Sequence, residues 1–250
     1  MSEWHWDPDD FAALWLSAGN DRLPGLLRYT SRFAYENDFA QHRHAVRERY
    51  DADELELIET GLRTLDESGF RIEILGGTSR YRGSDGSVRV YRIIGARTPE
   101  RAAVLHQFTQ GDRDGLIRLR LCRPDQLAAR IGATIPPSDA GTQHPITVHP
   151  ADLREARRSA TGNAPHERYH RMMKAVEGGG SATLHVGAFN TDPKPWKAVQ
   201  WHDISDGRYI ELHTEHITVR PLAPRDLTAR FDTWLELGVD HLQEQQPGTW

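Results

Sequence analysis

Apolar and polar residues alternate one for one in several short stretches of the chain. Phe70, Ile72 and Ile74 alternate with Arg71 and Glu73, and Ile117, Leu119 and Leu121 alternate with Arg118 and Arg120. A period of two sends one set of side chains into a core and the other into water, which predicts half-buried strands. Residues 87–94 and 103–108 are read as their partners. Four more strands are expected after the glycine run 178–180, at 182–189, 196–202, 208–213 and 216–221. Ser-Asp-Gly at 84–86 and 205–207, and the segment 190–195, supply turns. Links this short imply antiparallel neighbours.

Elsewhere the spacing is helical. Leu55, Ile58, Leu62 and Leu65 form one stripe over 53–65, and Gly69 lies just past its end. Residues 224–243 bury Leu227, Phe231, Trp234, Leu235 and Leu242, with a frayed tail over 243–250. Residues 30–50 read as helical without a clean period. Four helix starts share a chemistry. Pro8, Pro124, Pro150 and Pro224 suit the first helical position, where the fixed φ is correct and the missing N–H costs nothing. Asp10, Asp125, Asp152 and Asp226 then face the positive end of each helix dipole.

The chain also resembles itself. Residues 117–131 align without gaps on 217–231: Ile117, Arg120, Pro124, Leu127, Ala129 and Arg130 recur as Ile217, Arg220, Pro224, Leu227, Ala229 and Arg230. WDPDDF at 6–11 resembles VHPADL at 148–153. These matches predict one domain over residues 1–250, built from two quasi-repeated halves at about 1–140 and 145–250.

Composition removes several function classes. At 250 residues, 38% hydrophobic and 27% charged, the chain can bury a substantial core. The 31 basic and 36 acidic residues are interspersed, so no basic stripe is available for a phosphate backbone and nucleic acid is not expected as a partner. A single cysteine, Cys122, excludes an internal disulfide and a Cys-rich zinc module, which fits a reducing compartment. The start, MSEWHWDPDD, has no apolar signal core, and no run approaches 18 apolar residues. A cytoplasmic protein without membrane insertion is expected.

One stretch carries a chemical signature. HERYH at 166–170 matches H-E-x-x-H, in which two histidines one helical turn apart bind zinc and the glutamate acts as base. His166, Glu167 and His170 therefore define a zinc-peptidase alternative. Against it, Pro165 puts the motif in the first turn of a helix, Arg168 suits solvent, and Met173 stands where the longer signature has glycine. The simpler reading is an amphipathic helix with Tyr169, Met172, Met173 and Val176 inward and Glu167 paired to Arg171. His185, His202, His213 and His216 are read as sheet-surface histidines rather than a metal cluster, and Cys122 as a core thiol. No nucleophile elbow or phosphate-binding loop is present.

Taken together, WDPDDFAALW followed by RLPGLL, the units ending in PDQLAAR and PRDLTAR, and the late run GGGSATLHVGAF, VQWHDISDGRYIE and ITVRPLAPRDL resemble the EspG family associated with ESX (type VII) secretion. The resemblance implies an α+β fold: a central twisted antiparallel sheet flanked by helical bundles, in two quasi-symmetric halves. It also implies a cytosolic chaperone, without catalysis or cofactor, that binds the helical tip of the PPE subunit in PE–PPE heterodimers or another ESX substrate. A homodimer is compatible with this, and a self-associating sheet scaffold is a third reading. Interface cores favour aromatics, so Trp196, Trp201 and the hairpin residue Lys194 are the expected partner-binding residues, although tryptophan serves core packing equally well.

Overall fold

The structure is a computed structural model and describes all residues except 1, 18–19, 81–85, 112, 156–161, 163, 192 and 246–250. Residues 84–85 of one expected turn, 192 of another, and most of the expected frayed tail lie outside the described residues.

The described strands form one sheet. They are β1 (Glu3–Trp6), β2 (Phe70–Thr78), β3 (Arg89–Arg97), β4 (Ala102–Gln110), β5 (Ile117–Cys122), β6 (Ile146–Val148), β7 (Gly178–Val186), β8 (Pro195–Ile204), β9 (Gly207–His213) and β10 (Ile217–Pro221). Their order is β1-β5-β4-β3-β2-β7-β8-β9-β10-β6, with every neighbouring pair antiparallel. From either margin the order is of the same kind: β1, β5, β4, β3, β2 from one side and β6, β10, β9, β8, β7 from the other. β2 and β7 meet at the centre, from Phe70 opposite Val186 to Thr78 opposite Gly178. The expected α+β sheet with flanking helices is the observed architecture.

The helices are α1 (Pro8–Trp15), α2 (Glu36–Arg47), α3 (Ala52–Asp66), α4 (Leu127–Thr134), α5 (Pro150–Glu155), α6 (Pro165–Lys174) and α7 (Pro224–Gln245). Pro8, Pro150 and Pro224 open helices as the sequence predicts. Pro124 instead opens a 3-10 turn, Pro124–Gln126, that leads into α4. α3 is capped by Asp51, whose carboxylate accepts a hydrogen bond from the Glu54 amide at 2.8 Å. Asp51→Ala is expected to lower stability by about 1 kcal/mol, read as a shift of the urea midpoint without a change in slope.

Alternation along the strands separates two apolar layers. On one face Phe70, Ile72, Ile74, Ile93, Leu184, Trp201 and Ile210 pack with Leu127 and Ile131 of α4 and Phe231 and Trp234 of α7. On the other, Ile94, Leu105, Ile117 and Leu119 pack with Phe11 and Trp15 of α1 and Ile58, Leu62 and Leu65 of α3. The same face at β9 and β10 holds Tyr209 and Val219 against Met172 of α6, with Tyr169, Met173 and Val176 partly buried beside them.

Asp10 does more than face a dipole. It takes hydrogen bonds from Arg49 Nη1 at 2.6 Å and from His42 at 2.8 Å, while Asp9 accepts the Tyr29 hydroxyl at 3.1 Å. The α1 start thereby fastens residues 29–49, a segment whose weak apolar period left it poorly defined in the sequence.

Candidate protein-binding surface

The second face of the sheet is covered at its two ends and bare in its middle. Leu75 of β2, Ser181 of β7 and Gln200 of β8 are consecutive register partners, and all three are exposed. Leu75 is 46% exposed and neighbouring Val88 45%, high for large aliphatic residues. With Gly77 and Gly178–Gly180 they line a depression of about 460 Å³. Glycines make up much of its floor, with Gly77 facing Gly179 across the central pair, and Glu177 and His202 also line it.

The glycines are required by what lies next to them. At φ +144°, Gly179 adopts a backbone that side chains rarely tolerate, and a Cβ there would sit 2.2 Å from the Trp201 carbonyl oxygen. The Gly179 carbonyl in turn accepts the Tyr91 hydroxyl at 2.7 Å. Burial pushes the Tyr91 phenol far above its ordinary range, which favours the protonated, donating form.

Further along the same face, Arg71 and Glu73 of β2 enter a second, larger cavity of about 730 Å³, walled by Trp15, residues 20–23, 25 and 26, Asp66 and Phe189. Arg71 is 3% exposed; its Nε donates to Glu73 at 2.6 Å, Nη1 donates to the Gly187 carbonyl at 3.4 Å, and the guanidinium lies 4.4 Å over the Phe189 ring. Phe189 stands in the connection between β7 and β8. That hairpin is tied to the sheet by the Gly187 amide donating to Gly69 and by a His185 Nδ1–Pro193 carbonyl contact at 2.8 Å.

The expected partner-binding residues divide between surface and core. Lys194 is exposed on this hairpin. Trp196 is 41% exposed, 5.1 Å from the His241 ring of α7 and covered by Lys197 at 5.1 Å. Trp201 is 1% exposed and belongs to the core cluster shared with α4 and α7. Sequence reasoning missed Leu75, Val88 and Phe189. The paired glycine runs 76–77 and 178–180 were the available signal, since glycine inside strands marks close backbone approach.

The HERYH residues lie on α6. Glu167 accepts a hydrogen bond from the Ala164 amide at 3.2 Å, and Arg171 donates to the Gly162 carbonyl at 2.7 Å. His170 is exposed, whereas His166 Nε2 is buried with no hydrogen-bond partner. Among the described residues no three His, Cys, Asp or Glu side chains gather where they could hold a metal. His202 and His213 instead share the Glu211 carboxylate, at 2.9 and 2.7 Å, and the Tyr169 hydroxyl donates to it at 3.2 Å. This cluster pins α6 to the sheet. Burial raises the Glu211 carboxyl, but the two histidine hydrogen bonds outweigh it and hold the group below the ordinary range.

Among the described residues, then, a ten-stranded antiparallel sheet carries helices on both faces and leaves part of its second face exposed near β2, β7 and β8. The EspG family model matches residues 7–233, nine-tenths of the sequence, and the chain belongs to the EspG family. Among solved structures, EspG5 of Mycobacterium tuberculosis, the type VII secretion system chaperone in complex with the PE25–PPE41 dimer, superposes with a TM-score of 0.53. It is 11% identical, over 94% of this chain and 96% of that one, and so shares the fold. HtdX from Mycobacterium tuberculosis, 11% identical over 89% of this chain and 100% of its own, aligns at a TM-score of only 0.20. No curated protein matches the sequence. No described helix is long and apolar enough to cross a membrane.

Proposed function

We propose that this protein is a cytosolic, non-enzymatic chaperone of type VII secretion. It binds the helical tip of the PPE-like subunit of a PE–PPE pair, keeps that apolar end soluble, and directs the pair to its secretion machinery. Family membership over residues 7–233 carries this reading. The bare sheet face supports it, because Leu75 and Val88 offer apolar surface between two rigid helical walls, as a client's greasy tip requires. We also propose that residues 1–250 form one domain of two quasi-repeated halves, and that Lys194 and Trp196 on the β7–β8 hairpin contact the client while Trp201 props the strand beneath.

Co-expression with a PE–PPE pair from the same genome tests the reading. A stoichiometric complex is expected by size-exclusion chromatography with light scattering. Trp196→Ala is expected to weaken it about thirtyfold, the scale of an aromatic interface anchor, and Lys194→Glu less. Both variants should unfold within a degree or two of the parent. Failure to form a complex with any such pair would overturn the proposal.

A further inference from the structure

We propose that a cavity of about 250 Å³ beside α6 receives an acidic side chain, a carboxylate on a short aliphatic stem, from the client. The inference rests on the chaperone reading for the source of that carboxylate. The walls are Gln143 from the connection between α4 and β6, Ile204 at the end of β8, and Arg168, Arg171, Met172 and Ala175 at α6.

The charge of these walls is one-sided. Arg168 and Arg171 are the two ionisable residues among them, and both are cations. Each donates through Nη2 to a backbone carbonyl, Arg168 to His144 at 3.3 Å and Arg171 to Gly162 at 2.7 Å. A carbonyl fixes the direction of a guanidinium without cancelling its charge, and each fork keeps further N–H donors for a ligand. The carboxylates nearby are engaged elsewhere. Glu167 accepts from the Ala164 amide at 3.2 Å, and Glu177 lies 3.6 Å from Arg80 Nε. Asp206 takes the Thr142 amide and hydroxyl and the Tyr209 hydroxyl. Arg171 lies in the last turn of α6, where a cation suits the helix dipole, but Arg168 stands in the first half, where it does not. Like charges three residues apart on a helix are mutually unfavourable, and a carboxylate between them relieves both.

The shape selects a carboxylate over a phosphate. Met172 and Ile204 are 3% and 2% exposed and give the cavity an apolar side beneath its two guanidinium groups. The methylenes of a glutamate stem cover such a surface, whereas a phosphate would shed its hydration against it. Guanidinium forks match the two oxygens of a carboxylate. At about 250 Å³ the space is smaller than the roughly 300–1,000 Å³ of sites for drug-sized molecules, and so admits a single side chain. It also adjoins the bare face. Ala175 and Ile204 stand two residues from Glu177 and His202, which line the central depression. A client that covers the depression therefore borders the arginine pair.

The test needs no client. The ¹⁵N-labelled full chain is titrated with N-acetyl-glutamate amide, with the neutral N-acetyl-glutamine amide, and with inorganic phosphate, all at equal ionic strength. Saturable shifts of the Gln143, Ala175 and Ile204 amides are expected with the glutamate probe and none with glutamine. Arg168→Gln/Arg171→Gln is expected to weaken that binding about tenfold, the loss of one charge-assisted contact. Arg171 is exposed, so Arg171→Gln alone carries the test, with a smaller loss, if the double variant loses its dispersed spectrum. No saturable shift, an equal response to glutamine, tighter binding of phosphate, or undiminished binding by the variants would each overturn the inference. A silent cavity in a protein that still captures a PE–PPE pair sinks this inference alone. A glutamate-binding cavity in a protein that captures none sinks the chaperone reading.

Discussion

Arg208→Ala is expected to destabilise the protein by about 3–5 kcal/mol, the cost of leaving a buried charge without its partner. Arg208 is 3% exposed on β9. Its Nε and Nη2 donate to the two Asp203 oxygens at 2.7 and 2.9 Å, and Nη2 also donates to the Pro136 carbonyl at 2.9 Å. Its backbone is equally engaged: the amide donates to Asp139, and the carbonyl accepts from Gly141 and Leu222. Side chain and backbone together thus clamp residues 136–141, in the link between α4 and β6, onto the sheet. Urea denaturation checks the figure. Asp203→Leu/Arg208→Met removes both charges together and is expected to recover most of the loss, because desolvation rather than attraction dominates a buried pair. A single variant that loses less than about 1 kcal/mol would show that water reaches the pair.

Trp201→Ala is expected to cost about 3–5 kcal/mol as well, through a cavity under α7. For a chain of this size that lowers the thermal midpoint by roughly 6–20 °C. The ring is among the largest fully buried side chains, and it fills space that Gly180 leaves open, since a Cβ there would lie 2.7 Å from the indole. Trp196→Ala, five residues away and 41% exposed, is expected to change stability by no more than about 1 kcal/mol. Differential scanning calorimetry of the two variants separates prop from contact. Equal losses would place Trp196 in the core and end its candidacy for partner binding.

Most of the sheet was legible because its strands bury one face. The alternation over 70–75 and 117–121 located β2 and β5, and the helical stripe over 53–65 falls within α3, Ala52–Asp66. Two strands were missed. β6 has three residues, too few for any period, and β1 hid in a segment read only for its lack of an apolar signal core, although Glu3, Trp4, His5 and Trp6 alternate exposed and buried. β7 begins at Gly178, four residues before its expected start. Glycine has poor strand propensity, and only the facing Tyr91 and Trp201 explain its place there. The site was less legible. Val199 and Trp201 are two apart and share the buried face, a parity that the sequence displayed. A register shift between Leu184 and His185 then intervenes before the hairpin that carries Trp196. Irregularities of that kind arise from tertiary fit, and no local pattern announces them.

A sheet left open at both margins invites another chain to zip onto it. Here those margins are β1 and β6, four and three residues long. Trp4 and Trp6 of β1 are each tethered inward, the first to Glu54 at 3.0 Å and the second to the Tyr50 hydroxyl at 2.7 Å. The exposed aliphatic side chains Leu75 and Val88 lie instead toward the middle of the sheet, away from these short margins. Its rims give fibril-like stacking almost nothing to grip.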